Sequence, residues 1–233
     1  MKADQPGLGE LKNGRYEGFD VDVATYVAGR LGVPPSRITF RTTTSSVREQ
    51  ALESGTVDMV VATYSITPAR KTRITFAGPY YVAHQDTLVR SGDRSISSVH
   101  DLAKKRICAV NGSNSWKRIT DERSIPAVPV KVDKYSACVK SLKEDGLDAV
   151  STDDLILAGF AAKDPGLRII GAPFTDEKYG IGLRKGDLGG CEAVNRALTR
   201  MYQDGSAARF LQRWFANTGA RLTTSVPQFE GCS

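Results

Sequence analysis

Apolar residues recur at helical spacing after Asp20 and predict an amphipathic helix. Val23, Val27 and Leu31 fall on one stripe of that helix, and Gly32 ends it. Short apolar runs follow, which are typical of buried strands. The elements predicted for this first part are a helix opening at Asp20, a strand at 38–41, a helix at 46–53 and a strand at 57–62. Such alternation is typical of βαβ units, so we expect an α/β fold with mostly parallel sheets and helices on both faces.

The same alternation begins again near Asp101. The elements predicted there are a strand at 106–110, a turn into a helix at 111–115, a strand at 128–132, a helix at 136–143 and a strand at 147–151. Two segments, 52–58 and 142–148, share the order helix, turn, aliphatic residue, aspartate and strand. We therefore expect two comparable lobes, each with polar groups at its strand ends.

Two strand-like segments, 86–90 and 179–183, lie between and after these patterns. If the chain crosses to the second lobe at the first segment and returns at the second, the two segments form a two-strand hinge. The predicted lobes are a discontinuous lobe one of residues 1–88 and 183–233, closed by helices over 193–216, and a lobe two of residues 89–182.

Charge narrows the classes of partner. The 233 residues carry a formal net charge of +6 and have a pI near 9.2. The basic residues are dispersed, and their longest run is Lys104–Arg106, which is typical of a solvated surface. We therefore expect no nucleic-acid partner. No apolar run approaches the roughly 20 residues of a membrane-spanning helix. No basic-then-apolar leader follows Met1, so we expect any export signal, and the start of a first strand, to lie outside this sequence.

The four cysteines predict disulfides and not a metal site. Cys108, Cys138, Cys191 and Cys232 form no CxxC pair, and the chain has two histidines, so we expect no metal and no cofactor. An even number of cysteines favours two disulfides and an oxidising compartment. Of the three pairings, we favour Cys108–Cys138, which joins a strand to a following helix, and Cys191–Cys232, which holds the C-terminal tail. The alternative is four buried thiols in a cytosolic protein.

Polar residues follow three of the predicted strands. These strand ends are residues 63–70, 111–115 and 152–154. Ligands of open α/β sheets bind beyond the carboxyl ends of strands, so we expect the three segments to face one cleft. They contribute a guanidinium from Arg70, small hydroxyl and amide groups, and carboxylates. Such a set predicts a clamp for a zwitterion.

Several segments in a fixed order resemble the bacterial extracellular solute-binding proteins for polar amino acids. The segments that carry the resemblance are Gly18–Asp22, Gly55–Asp58, Ser65–Arg70, Phe76–Tyr81, Leu147–Val150 and Tyr179–Asp187. Each is a weak signal alone, but together they cover nearly the whole chain in the family's order. A narrower likeness to glutamate-binding lipoproteins of actinobacterial importers rests on residues 4–9, 62–67 and 152–159.

The resemblance implies a two-lobed, periplasmic-binding-protein-like fold of type II that closes on its ligand. It implies a binding protein, not an enzyme. That protein would capture a polar amino acid, first of all L-glutamate, and deliver it to the membrane permease of an ABC transporter. The resemblance also implies a monomer outside the cytoplasm, either a cell-surface lipoprotein or a periplasmic protein.

The matched residues suggest roles for the ligand's α-carboxylate. Arg70 is expected to hold it, because a planar guanidinium pairs bidentately with a carboxylate. Ser65 adds its hydroxyl and backbone N–H. Asn114 and Ser115, at the start of a helix in lobe two, offer N–H donors and a positive dipole end.

The α-ammonium needs acceptors. Asp154 is the expected carboxylate, with the backbone carbonyl of Thr63 as a second acceptor. The neighbouring Asp153 is expected to cap the helix that begins at Leu155.

The ligand's side chain is expected to meet cations. Arg48, at the start of a helix, and Lys2 would bind a distal carboxylate, and Gln5 adds a donor. Many relatives place an aromatic platform where this chain has Ser45, so Tyr64 is expected to take part of that role. The alternatives are an exposed helix position for Arg48 and a disordered terminus for Lys2.

Two other functions use the same fold, because a fold does not determine function. A dehydratase of cyclic acids would need a titratable group beside the reacting carbon. The predicted cleft has no nucleophile–base pair, and the chain has no Gly-x-Ser-x-Gly, HExxH or phosphate-binding motif. The ligand-sensing domain of a receptor would continue into a membrane segment after Ser233.

Overall fold

Helices and strands alternate along the chain in the computed structural model, which describes residues 1–232. The strands are β1 (Asp4–Gln5), β2 (Gly9–Lys12), β3 (Arg15–Glu17), β4 (Ile74–Arg90), β5 (Arg106–Val110), β6 (Val128–Val132), β7 (Val150–Asp153), β8 (Leu167–Ile169) and β9 (Asp176–Arg184). The helices are α1 (Phe19–Arg30), α2 (Arg48–Glu53), α3 (Pro68–Lys71), α4 (Ser115–Thr120), α5 (Tyr135–Lys143), α6 (Asp154–Ala161), α7 (Leu188–Gln203) and α8 (Ser206–Phe215). The α/β class predicted from the sequence is confirmed.

The long strand β4 connects the two halves of the molecule. Many of its residues are aromatic or β-branched, and almost all of its residues are buried, which favours a strand with both faces covered. Residues 74–84 pair antiparallel with β9. The rest of β4 pairs antiparallel with β7 on one side and β8 on the other. One strand therefore belongs to the sheets of both halves.

The two segments predicted to form the hinge between the halves pair differently from the prediction. Residues 86–90 pair with β7 and β8, whereas residues 179–183 lie opposite residues 75–81. The two segments therefore do not pair with each other. The difference arises because β4 is longer than predicted, so its pairing with β9 ends at His84. The lobe limits at 88 and 183 stay a prediction.

The expected majority of parallel pairings is not found among the regular strands of residues 1–232. Only β5 and β6 form a parallel ladder, to which Ala149 adds one parallel bridge with Ile107. The hairpin strands β1, β2 and β3 are antiparallel, as are all the pairings of β4. The sheet direction was therefore predicted correctly for one ladder of the second half.

Two predicted strands of the first half are extended without forming regular strands. Residues 38–41 and 57–62 have no strand ladder, apart from one antiparallel bridge between Val60 and Gly182. The segment after residue 40 bonds instead to the start of the chain. Its Arg41 carbonyl accepts the Met1 ammonium at 2.9 Å, and the Met1 carbonyl accepts the amide of Thr43 at 2.8 Å.

Both predicted disulfides are confirmed. Cys108 of β5 bonds to Cys138 of α5, with 5.6 Å between their Cα atoms. Cys191 of α7 bonds to Cys232 near the C-terminus, with 5.8 Å between their Cα atoms. They close loops of 30 and 41 residues, for which loop-closure entropy gives roughly 3–4 kcal/mol of stabilisation each. The second disulfide fixes the tail on the body of the protein.

The β1–β2 hairpin of the first half packs on helices of the second half. The Asp4 carboxylate accepts the amide of Ser136 at 3.0 Å, and Lys163 pairs with Glu10 at 2.5 Å. Gly159 of α6 approaches the chain so closely that a Cβ there would lie 2.0 Å from the carbonyl oxygen of Pro6. The two halves are therefore in direct contact beside the cleft.

Two kinds of feature are absent from residues 1–232. None of the helices is both long enough and apolar enough to pass through a membrane. The described residues also contain no group of three or more histidine, cysteine or acidic side chains arranged to hold a metal ion.

Candidate ligand-binding site

Arg70 lies where the two halves meet. The short helix α3 places it there, and its side chain is buried. Nη1 donates to the carbonyl of Ser65 at 2.7 Å, and Nη2 donates to the carbonyl of Gly112, across the cleft, at 3.1 Å. Its Nε lies 3.5 Å from the Glu49 carboxylate. The guanidinium is therefore fixed in orientation by contacts from both halves.

Arg48 stacks on Tyr64. Its Cζ lies 3.7 Å from the centroid of the Tyr64 ring, and Nη1 donates to the carbonyl of Ala62 at 3.0 Å. Arg48 is buried, so the exposed helix position considered from the sequence is wrong. The ring of Tyr64 is expected to serve as a platform for the ligand, but the structure places Arg48 over it. Ring and guanidinium stabilise each other by cation–π attraction.

Lys2 is also buried, so the disordered terminus considered from the sequence is wrong: 4% of the residue is exposed. Its Nζ donates to the Ser45 hydroxyl at 2.6 Å. Burial, and then repulsion from Arg48 and Arg70, lower the pKa of Lys2 to about 7. Burial and the charge of Arg70 also lower the pKa of Arg48, to about 10.

These cations lack counter-ions. Among residues 1–232, no carboxylate lies within 4.0 Å of the charged nitrogens of Lys2 or Arg48. Within the same residues, the buried Nε of Arg48 has no hydrogen-bond partner. Buried charges are usually paired, because removing them from water is costly. This corner of the cleft is therefore suited to an anion.

Thr63 and Gln5 form the neighbouring wall. Thr63 has a positive φ of 45°, and its hydroxyl donates to the Gln5 side-chain oxygen at 3.2 Å. The buried Nε2 of Gln5 has no hydrogen-bond partner among residues 1–232. The sequence alone did not identify Asp20, whose side chain fixes the position of Thr63. Its carboxylate accepts the Thr63 amide at 2.9 Å and the Tyr80 hydroxyl at 2.7 Å, and burial raises its pKa to about 6.

The other residues predicted to bind the α-carboxylate, Ser65, Asn114 and Ser115, lie on both sides of the cleft. Ser65 is buried beside Arg70, and its backbone bridges to Tyr179 of β9. Asn114 precedes α4, and its Nδ2 donates to Glu177 at 3.3 Å. Ser115 is buried, but its hydroxyl is bonded inside the second half, 3.1 Å from the Tyr135 hydroxyl. Its backbone therefore remains the part suited to a ligand.

The two adjacent aspartates differ from the expectation. Asp154 accepts its own helix's amide from Leu155 at 2.8 Å. Burial raises the pKa of Asp154 to about 6, and the charged groups around it are His84 and Asp86. Asp153 occupies the position before the helix but makes no side-chain cap. The predicted roles of cap and cleft carboxylate are thus not supported by where these side chains lie.

Asp153 is the aspartate on the Arg70 side. Its Oδ2 accepts the Tyr179 hydroxyl at 2.7 Å. Burial, and then the charge of Glu177, raise the pKa of Asp153 to about 8, while Arg70 acts in the opposite direction. The reason is that β7 ends at Asp153, two residues later than expected, so Asp153 is the last residue of the strand and Asp154 the first of the helix, and the two side chains point in different directions.

Glu177 is a second buried acid that the sequence did not single out. It accepts Arg118 Nε at 2.9 Å, and it lies close enough to Asp153 to raise the pKa of that carboxyl. The cleft therefore has basic side chains on one wall and acidic side chains on the other. The cations Lys2, Arg48 and Arg70 come from the first half, and the acids Asp153 and Glu177 from β7 and β9. An amino acid with its own positive and negative ends fits this arrangement.

The residues of this cleft lie in a chain whose positions 1–217 match the family model for bacterial extracellular solute-binding proteins, family 3. The chain belongs to that family. The solute-binding fold accounts for the single strand shared by both halves and for polar loops that meet between them.

Two curated relatives bind polar amino acids according to their names. The chain is 42% identical over 224 residues to the glutamate-binding protein GluB of Corynebacterium efficiens, covering 90% of this chain and 75% of the relative. It is 34% identical over 209 residues to the ABC transporter glutamine-binding protein GlnH of Bacillus subtilis, covering 89% of this chain and 76% of the relative.

Solved structures share the fold of this solute-binding protein. An ancestral arginine-binding protein bound to arginine superimposes with a TM-score of 0.85 at 33% identity, covering 92% of this chain and 95% of the other. The ancestral amino-acid-binding protein AncCDT-1, a precursor of cyclohexadienyl dehydratase, superimposes with a TM-score of 0.81 at 29% identity and covers 92% of each chain. The predicted two-lobed fold of type II is confirmed.

Proposed function

We propose that this solute-binding protein captures an acidic amino acid, with L-glutamate as the preferred ligand, in the cleft between its lobes. The observation that carries the proposal is the pair of buried cations, Lys2 and Arg48, without a carboxylate within 4.0 Å among the described residues. An isolated buried charge is costly, so such a pair indicates a site completed by an anion.

The ligand's two carboxylates divide between the cations of the first lobe. Arg70 binds the α-carboxylate, because its fixed guanidinium suits a planar anion. Ser65 and the backbone N–H groups at Asn114 and Ser115 add donors to the same carboxylate. Arg48 and Lys2 bind the side-chain carboxylate. The side-chain amide of Gln5, whose Nε2 has no hydrogen-bond partner among residues 1–232, supplies a further donor.

The ligand's ammonium lies against the second lobe. We assign its carboxylate partner to Asp153 and not to Asp154, because Asp153 is the aspartate close to Arg70 and Glu177. The Thr63 carbonyl is proposed as a second acceptor. An ammonium beside Asp153 would relieve the repulsion between two buried acids.

The relatives support the amino-acid class. One similar protein is named for glutamate and another for glutamine, whereas a similar solved structure holds arginine. Two unpaired cations in the cleft favour the acidic ligand over the neutral and the basic one. We take the chain as a binding protein and not an enzyme, since the similar curated proteins are binding proteins.

The partner and location follow from the family. We propose that the loaded protein delivers its ligand to the membrane permease of an ABC transporter, outside the cytoplasm. The two disulfides fit an oxidising compartment. A monomer, and attachment by lipid or release into a periplasm, are the corresponding expectations for its state.

Isothermal titration of the ligand-stripped protein tests the proposal. We expect L-glutamate to bind with a Kd of about 1 μM or tighter, roughly −8 kcal/mol, ahead of L-aspartate, L-glutamine, L-asparagine and L-arginine. The ligand should be recovered unchanged. Arg70→Ala should abolish binding. Arg48→Met should weaken glutamate binding by about 10–100-fold, because a charged hydrogen bond is lost.

Arg37→Met is the matched control, since Arg37 is exposed outside the cleft, and it should leave the Kd unchanged. Tighter binding of glutamine or asparagine than of glutamate would contradict the acidic ligand while keeping the family. Absence of heat with all five amino acids would contradict the ligand class. A chemically changed ligand would favour an enzyme.

A further inference from the structure

Lys2 is buried among several charged and titratable groups. Its Nζ has one hydrogen-bond partner, the Ser45 hydroxyl, at 2.6 Å. The charged and titratable groups that face it are the Met1 ammonium, Asp4 of β1, Asp20 of α1, Arg48 of α2 and Arg70 of α3. None of the carboxylates of residues 1–232 comes within 4.0 Å of it.

Of the three cations in this corner, Lys2 is the one that can lose its charge near neutral pH. Guanidinium groups stay protonated there, and the pKa of Arg48, although lowered, is about 10. Burial and the two guanidiniums bring the pKa of Lys2 to about 7. A carboxylate placed beside Nζ would favour the charged form again.

We propose that Lys2 is a specificity-determining residue, which takes up one proton from solvent when a dicarboxylic amino acid binds and so distinguishes a side-chain carboxylate from its amide. The neutral amine and the proton give an ammonium, which pairs with the ligand's carboxylate without forming a covalent bond. The inference rests on the proposed function, because it requires an acidic ligand in this cleft.

The preference for glutamate over glutamine then depends on pH. Below pH 7 Lys2 is already charged, so glutamate binding has its full strength. Above pH 7 each unit of pH weakens glutamate binding by up to about tenfold, because binding takes up a proton and the proton concentration falls tenfold with each unit. Glutamine binding does not require this proton, because the side-chain amide of glutamine is neutral.

Asp153 also exchanges a proton with the ligand. Its pKa of about 8 in the free protein means that it releases a proton when an ammonium binds beside it. That release is common to glutamate and glutamine, which share their α-groups. The difference in proton uptake between the two ligands therefore removes the contribution of Asp153, and the variant Lys2→Arg separates Lys2 from the Met1 amino group, whose pKa burial lowers to about 6.

Titration calorimetry at pH 8 in two buffers of different ionisation heat tests the inference. We expect L-glutamate to take up about 0.9 proton more than L-glutamine. Lys2→Arg, which keeps a permanent charge, should bind glutamate with about 0.9 proton less uptake than the wild type. The matched control Lys140→Arg, at an exposed position on α5, should behave as the wild type.

Glutamate binding with equal uptake in the wild type and Lys2→Arg would overturn this inference alone. Absence of glutamate binding by the wild type would overturn the proposed function as well. If Lys2→Arg does not bind glutamate, the affinities of the wild type for glutamate and glutamine are measured at pH 6 and at pH 8.5 instead. The ratio of the glutamate affinity to the glutamine affinity must fall by about tenfold or more from pH 6 to pH 8.5, and an unchanged ratio would contradict the inference.

Discussion

Asp153 and Asp154 are neighbours with the same side chain, and the structure gives them different surroundings. Asp153 accepts the Tyr179 hydroxyl and is close to Arg70. Asp154 accepts the amide of Leu155 and faces His84. The last residue of a strand and the first residue of the next helix point in different directions, so one position separates a ligand-binding role from a structural one.

The two asparagine variants test this assignment. We expect Asp153→Asn to weaken L-glutamate binding by about 10–100-fold, because a charged hydrogen bond to the ammonium is lost. Asp154→Asn should change the Kd by less than about threefold, since its carboxylate contacts its own helix. Titration calorimetry at pH 7 measures both. The reverse order of effects would restore Asp154 as the ligand residue.

Asp153 also affects stability in the absence of ligand. Its pKa in the folded protein is about 8, above the ordinary value of about 3.9 in an unfolded chain. Between these values the folded state holds a proton that the unfolded state has lost. The linkage relation then makes stability fall as pH rises from about 4 to 8.

We therefore expect the wild-type Tm to fall between pH 5 and pH 8. Asp153→Asn should reduce this fall by about 2–4 °C for each kcal/mol that the aspartate contributes. Lys2 acts in the opposite sense only above pH 7, because its folded pKa is lowered to about 7. Thermal scans of the ligand-free proteins at pH 5, 6, 7 and 8 measure the slopes. Parallel curves for the two proteins would contradict the raised pKa.

At the scale of elements, closure depends on how near α6 comes to the hairpin. A Cβ on Gly159 would lie 2.0 Å from the Pro6 carbonyl oxygen, far inside van der Waals contact. The neighbouring Glu10–Lys163 pair has an exposed lysine and contributes at most about 1 kcal/mol. Shape at Gly159, more than charge, therefore decides whether the hairpin and α6 can meet.

Gly159→Ala should weaken L-glutamate binding by about tenfold or more although it touches no ligand, because the methyl group holds the lobes apart. Its Tm without ligand should stay within about 2 °C of the wild type. Small-angle X-ray scattering with saturating glutamate should give a larger radius of gyration than for the wild type.

Gly189→Ala on α7 is the matched control, since nothing lies within 4 Å of the added Cβ. It should bind glutamate as the wild type does. A normal Kd for Gly159→Ala would mean that the hairpin and α6 do not meet in the ligand-bound state.

At the scale of the whole molecule, the C-terminal tail is part of the fold. The disulfide from Cys191 to Cys232 closes a loop of 41 residues, and Glu230 in the tail pairs with Lys71 and Lys178. The tail therefore holds α7 to the body of the protein by a covalent bond and by charge.

Replacing Cys191 and Cys232 together by alanine should lower the Tm by about 6–16 °C, as expected for a loss of roughly 3–4 kcal/mol in a protein of this size. The Kd for glutamate should stay within about threefold, because neither cysteine touches the cleft residues. Differential scanning calorimetry and titration calorimetry measure the two quantities. An unchanged Tm would mean that the tail adds no stability.

Local patterns were sufficient for much of the second lobe. The strands β5 and β6 have the predicted bounds, and α5 begins one residue earlier than predicted, because apolar spacing and flanking turns define them. The long strand β4 was predicted only at its end. Its Gly78–Pro79 pair is typical of a turn or the end of a strand, and the strand continues through it because β9 pairs with Ala77 on one side of the pair and with Tyr81 on the other.

The sequence by itself was enough to predict the α/β class and the family and to favour the two disulfide pairings that the structure has, while the ligand residues proposed from it stay a prediction. The reason is that apolar period, cysteine positions and ordered motifs are properties of neighbouring residues. Only the tertiary structure decided which aspartate faces Arg70, that Arg48 covers the Tyr64 ring, and that Asp20 and Glu177 take part. These outcomes depend on one-residue register and on burial between distant segments, which set the pKa of Lys2 and Asp153 and have no local signature.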